Sequence, residues 1–238
     1  MFAPEELIEE AQILYEDNHL IVINKKSSEI VQGDKTGDLP LSEKVKNFIK
    51  QRDQKPGNVF CGVCHRLDRP VSGIVIFAKT SKALARMNEL FRDKTIQKTY
   101  WAVVKQKPPQ VSQRLTHYLI KNEKTNTSRA FSEEKKGALK AELKYTLIAS
   151  IANYHLLEIN LYTGRHHQIR AQLSAIGCPI KGDVKYGFDR TNPNASIHLH
   201  SYKAEFIHPV KQEPLTIVCR PHTTDTVWNE LMKAVPGK

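Results

Sequence analysis

The chain has 238 residues, 40% of them hydrophobic and 26% charged, which suits a folded globular protein and excludes wholesale disorder. Its 36 Lys and Arg outnumber 25 Asp and Glu, a formal charge of +11; such an excess fits a polyanionic partner such as nucleic acid, or merely a soluble surface, and composition leaves both open. No apolar run approaches the roughly 20 residues of a membrane-spanning helix, and Glu5, Glu6, Glu9 and Glu10 stand where a signal peptide would be basic and then apolar, so a cytoplasmic protein is expected.

Residues 1–18 hold six acids and no Lys or Arg, leaving a net +17 on the remainder. Pro4, with Leu7, Ala11 and Leu14 behind it, predicts a short acidic helix. A strand is expected over 20–24, then an amphipathic helix from Leu41 to about Arg52 carried by Val45, Phe48 and Ile49, and a turn at 55–58. The apolar run 73–79 predicts a strand, and Thr80-Ser81 caps a helix whose Leu84, Met87 and Phe91 form a core face. Another strand is expected over 99–104. Residues 105–140, with nine Lys or Arg against three acids and the breaker Pro108-Pro109, read as exposed loops and short strands, a basic clasp. Strands over 143–150 and 154–162 pair around Ala152-Asn153. A helix follows with Ile169, Leu173 and Ile176 inward and Gly177 as its stop. Short strands at 197–200, 204–208 and 215–219 precede a last helix over 226–234. Strands outnumber helices and are often sequential, so the expected class is α+β with a mainly antiparallel mixed sheet flanked by helices and loops. No composition shift divides the chain, and one domain over 1–238 is expected.

Four cysteines are present. Disulfides do not suit a reduced cytosol, and no second pair completes a zinc site after Cys61-x-x-Cys64. Cys61-Gly62-Val63-Cys64-His65 matches the c-type haem attachment pattern, but that attachment requires an exported chain. Small buried thiols are the reading preferred here.

The segment His65-Arg66-Leu67-Asp68-Arg69-Pro70-Val71-Ser72-Gly73 lies just before an apolar strand. Two arginines beside Asp68 would keep its carboxylate ionised, as a carboxylate nucleophile requires; a turn carboxylate in surface salt bridges is the alternative. No second marked acid supports a glycosidase pair, and Ser72 lacks a nucleophile elbow. Gly164-Arg165-His166-His167-Gln168-Ile169-Arg170 places His167 and Arg170 three apart on a helix, facing away from the apolar stripe. Arginine at a helix start can hold a carboxylate or phosphate with two parallel hydrogen bonds. Gly182-Asp183-Val184-Lys185-Tyr186-Gly187 reads as a tight turn, and Tyr100 is either a ring for stacking on a base or a core tyrosine.

Taken in order, HRLD-x-x-x-SG, K-x-Y, GR-x-HQIR, GD-x-x-YG and the late LHSYKAEFIHP make a chain that resembles the RluA-type pseudouridine synthases from about residue 13 to 221. The resemblance implies that family's catalytic fold with a central active-site cleft, without the S4-like domain some relatives carry. It implies that Asp68 is the essential aspartate, Tyr100 packs on the target uracil and Arg170 partners the aspartate. Arg66, Arg69, Arg165 and His167 are then substrate-binding. The reaction implied is cofactor-free and metal-free isomerisation of uridine in ribosomal or transfer RNA by a monomer, with neither membrane nor DNA as partner. A non-catalytic RNA-binding or ribosome-assembly protein on this scaffold is the alternative. Three positions depart from the pattern: Lys25-Lys26-Ser27-Ser28 replaces Lys-Pro-x-Gly, Pro70-Val71 replaces a polar-Thr pair, and Gln172 stands where histidine is frequent.

Overall fold

A computed structural model describes residues 2–34, 36–221 and 224–236. The backbone packs into two units, Met1–Ile96 with Lys203–Arg220, and Gln97–Tyr202 with Pro221–Lys238. In the first unit β1 (Ile13–Glu16) pairs with β2 (Leu20–Lys25), β2 with β4 (Ser72–Ala78), and the two-residue β3 (Gly62–Val63) with β4, all antiparallel. Strand alternation sends successive side chains to opposite faces. Leu20, Val22, Ile74 and Ile76 therefore pack with Ala83 and Met87 of α2 (Ser81–Arg92). Ile21, Ile23, Val75 and Phe77 pack with Leu41, Val45 and Ile49 of α1 (Leu41–Arg52). A strand buried on both faces must be apolar at every position, which explains the continuous runs in β2 and β4. Thr80 caps α2 by accepting from Ala83 N at 3.1 Å.

In the second unit β5 (Gln97–Val104), β9 (Tyr154–Leu161), β8 (Leu139–Ile151), β6 (Ser112–Asn122) and β7 (Thr127–Phe131) lie side by side in that order, each neighbouring pair antiparallel. Ala171 of α3 (Gln168–Ala175) packs with Leu119 and Ala141. Trp228 and Leu231 of α4 (Thr226–Lys233) pack with Trp101, Val103 and Leu156. Asp225 caps α4, accepting from Trp228 N at 3.0 Å, and also receives His198 Nε2 at 3.0 Å. β10 (Leu199–Ile207) begins in the second unit and ends in the first, where it pairs with β11 (Pro214–Val218). The α+β class and the antiparallel pairing agree with the sequence. Among the described residues, no helix is long and apolar enough to cross a membrane.

Four expected elements differ. The acidic N-terminal helix is two single 3₁₀ turns, Pro4–Glu6 and Glu10–Gln12, because residues 13–16 are drawn into β1 and Gln12 donates to Asn24 O at 3.1 Å. The basic stretch 105–140 holds the 11-residue β6, whose pairing on both sides with β7 and β8 makes regular strands of polar residues. The strands expected at 197–200 and 204–208 are one strand, since Ser201 and Tyr202 are buried rather than turning. His167 lies before α3 instead of within it, in left-handed backbone at φ 51°.

Candidate active site

Asp68 sits on the connection between β3 and β4, which is tied down at both ends. His65 Nε2 accepts from Ile76 N at 3.1 Å on the incoming side, so its other ring nitrogen carries the proton. On the outgoing side Asp68 O accepts from Val71 N at 3.0 Å, closing a turn over Arg69 and Pro70. Beneath that turn lies Lys25, wholly buried, whose Nζ donates to Lys26 O (2.9 Å), Arg69 O (3.1 Å) and Val71 O (2.6 Å). All three ammonium protons thus have acceptors. Burial pulls this lysine down to about 8, against the opposing charges of Glu29 and Asp68 and with that of Arg69, so it keeps its proton at neutral pH. Ser28 N donates to Arg69 O as well, at 2.9 Å, and reaches it only in left-handed backbone, φ 78°. This is the place where the related pattern has glycine. Asp68 itself is half-buried, Arg66 is exposed, and Arg69 directs Nη2 to Asp38 and Thr36.

In the second unit Tyr100 is buried on β5, and alternation places Lys98 on the same face. Burial pulls the Lys98 ammonium down from its ordinary value. Arg165 Nε donates to Lys140 O at 3.0 Å, which ties its guanidinium to the start of β8. Arg170 leaves the first turn of α3 and meets Asp183 through two parallel bonds, Nε to Oδ2 at 2.7 Å and Nη2 to Oδ1 at 2.8 Å. Both side chains are buried, 5% and 1% exposed. The Tyr186 ring lies 4.9 Å from the guanidinium carbon, and Nη1 lies 3.0 Å from His167 Nε2. A guanidinium only donates, so Nε2 accepts; Nδ1 then carries the proton and donates to Tyr186 Oη, 2.9 Å away, which also accepts Ser128 N at 2.7 Å. His167 is therefore neutral. Arg170 and His167 come together as the sequence expected, but on a helix whose first six residues are all buried rather than one with an open polar face.

Two of the departures find structural reasons. Gln172 is wholly buried and donates toward His117 Nδ1 (3.0 Å), Ala141 O (3.3 Å) and Leu115 O (3.4 Å), while accepting from Gln168 at 2.9 Å. It thus meets the backbone of two strands as a polar bracket. Ser28 trades the freedom of glycine for strained backbone. Nothing in the structure explains Pro70-Val71. The four cysteines are all buried, and burial pushes the Cys61 and Cys64 thiols up to about 12, which makes them inert packing groups.

A family model described as RNA pseudouridylate synthase matches residues 19–175, a span that holds Asp68, Tyr100, Arg165, His167 and Arg170. The chain belongs to the RNA pseudouridylate synthase family. It is 32% identical over 241 residues to a Haemophilus influenzae protein named tRNA pseudouridine synthase C, covering 93% of this chain and 96% of that one. It is 32% identical over 211 residues to a Vibrio cholerae protein named ribosomal large subunit pseudouridine synthase C, covering 86% of this chain and 64% of that one. A Pectobacterium carotovorum protein named tRNA pseudouridine synthase C is 31% identical over 227 residues, covering 88% and 58%. The chain thus spans about three-fifths of the length of the latter two relatives. Its fold is shared with human RNA Pseudouridylate Synthase Domain Containing 4, at a TM-score of 0.76 and 22% identity over 94% of this chain and 92% of that one. Human RNA Pseudouridylate Synthase Domain Containing 1 follows at 0.68 and 20%, over 95% of each.

Four residues around these groups, Lys25, His65, Asp183 and Tyr186, are not singled out as candidates by the sequence. Lys25 looked like one half of a basic pair at a strand end, and only burial reveals which lysine turns inward. His65 looked like the tail of a cysteine motif. Asp183 and Tyr186 looked like turn residues, although an acid between glycine and an aromatic was a signal that something nearby needed a charge partner.

Proposed function

We propose that the protein converts uridine in structured RNA to pseudouridine, with Asp68 as the reacting carboxylate. The N1–C1′ bond breaks, the uracil turns, C5 bonds to C1′, N1 gains a proton and C5 loses one. No atom is added, so neither an oxidant nor an energy source enters the balance. Asp68 either attacks C1′ or removes a ribose proton before recombination. Tyr100 packs on the uracil; Arg170 balances the aspartate's charge; Arg66, Arg165 and His167 meet the RNA. The uridine is flipped out of the folded RNA, at a cost of a few kcal/mol that phosphate contacts with the basic surface offset.

The observation that carries this reading is the mounting of Asp68 in a chain of this family. A carboxylate that must meet one carbon needs a fixed backbone, and here a histidine and a buried ammonium hold the loop from either side. Relatives named for transfer RNA and for large-subunit ribosomal RNA both match, so both are test substrates. Unmodified transcripts of each are incubated with the protein and mapped by carbodiimide-based pseudouridine detection. We expect site-specific product with the native chain, none with Asp68→Asn, and RNA affinity changed little in that variant. Product formation by Asp68→Asn would overturn the assignment. RNA binding with no pseudouridine from either transcript set, nor from total RNA of cells lacking the gene, would favour a non-catalytic binder.

A further inference from the structure

We propose that Asp183 is the positioning residue for Arg170, holding its guanidinium in one orientation by the two-bond contact, with the Tyr186 ring on one face and His167 on Nη1. This rests on the reading of Arg170 as an active-site group and adds a residue that the motif left as part of a turn. An arginine side chain has four rotatable bonds, and ordering it costs much of that rotamer freedom. Asp183 removes that freedom in advance. Its two oxygens meet Nε and Nη2 at 2.7 and 2.8 Å, which defines both the plane and the rotation of the guanidinium. The Tyr186 ring at 4.9 Å covers one face. His167 accepts from Nη1 at 3.0 Å and is braced by Tyr186 Oη.

The local backbone is built to deliver Asp183. Gly182, at φ 87°, turns the chain directly before it, where an added Cβ would stand 2.6 Å from Asn192 Nδ2 and 2.8 Å from Ser196 O. Asp183 O then accepts from Tyr186 N at 3.0 Å and from Phe188 N at 3.1 Å, and Gly187 at φ 98° ends the 3₁₀ turn Val184–Tyr186. One short loop thus supplies both the carboxylate for the edge of the guanidinium and the ring for its face.

The test is a double-variant cycle in single turnover on the unmodified RNA transcripts described above, with melting temperatures measured in parallel. Asp183→Glu keeps the charge and both oxygens but moves them by one methylene. We expect it to fold and to lower the saturating rate about tenfold to a hundredfold, as misplacement by about 1 Å does, with the half-saturating RNA concentration unchanged within about twofold. Asp183→Asn is expected to lower the rate at least as far. Combined with Arg170→Met, it should cost nothing beyond Arg170→Met alone, because Asp183 acts through the arginine. A folded Asp183→Glu turning over at the native saturating rate would overturn the inference, as would full additivity in the cycle. If Arg170→Met itself turns over at the native rate, the reading of Arg170 fails instead, so the two failures are separable. If Asp183→Asn does not fold, Asp183→Glu decides by itself.

Discussion

Replacing Lys25 by methionine removes the ammonium under the Asp68 loop while filling nearly the same volume. The lysine is lowered from 10.5 to about 8, chiefly by burial, which at 1.36 kcal/mol per pH unit puts the net cost of carrying its charge there at about 3 kcal/mol. Against that stand three charge-assisted hydrogen bonds, each worth about 1.5–3 kcal/mol. The net loss on substitution is therefore about 1.5–6 kcal/mol, since methionine also returns the apolar packing of the stem. Urea unfolding at pH 7 should show this as a lower midpoint with an unchanged slope. The consequence for chemistry is larger than for stability alone, because Arg69 O and Val71 O flank the turn that follows Asp68. Loosening it by about 1 Å should lower the saturating single-turnover rate about 10²-fold with RNA affinity retained. A folded Lys25→Met with native midpoint and native rate would refute the claim that the ammonium holds the loop.

Ser28→Gly should stabilise the chain by about 0.5–1 kcal/mol, roughly 1–4 °C in melting temperature, by removing a side chain from φ 78°; a lower melting temperature would contradict this. Gly182→Ala should destabilise by about 1–3 kcal/mol, since the new methyl meets Asn192 and Ser196 O below 3 Å in left-handed backbone, read by the same unfolding measurement. Acid should weaken the fold. His198 is held below its ordinary value by burial, and its Nδ1 accepts from Asn192 at 3.0 Å, so the folded ring resists a proton that the unfolded chain binds below about 6.5. Asp225 is also held low, chiefly by its bond to His198, and its contribution is lost as pH falls below about 4. Unfolding free energy should therefore fall from pH 7 to pH 5, and His198→Gln should flatten that slope; an equal slope in the variant would exclude His198 as its source.

The sequence by itself determined the elements whose burial is two-sided or whose caps are local. β2 and β4 are apolar at nearly every position because helices cover both faces, and α2 announces itself through Thr80 and the Leu84, Met87 and Phe91 spacing. The ordered motifs likewise point to Asp68, Tyr100 and Arg170, because the chemistry of a site restricts residue type at each position. The +11 charge, a weak sign of nucleic acid when read alone, gains meaning only beside those motifs. What the tertiary structure decided is everything that depends on a distant partner. β6 and β8 are long because each pairs along its length, not because their polar residues favour strands. The acidic leader is no helix because Ile13–Glu16 finds β2. Lys25 finds its acceptor at Val71 O, 46 residues away, and Asp183 its guanidinium at Arg170, 13 residues away, only once the fold buries them. A buried charge must find its counterpart wherever the chain passes, and spacing along the sequence does not record where that is.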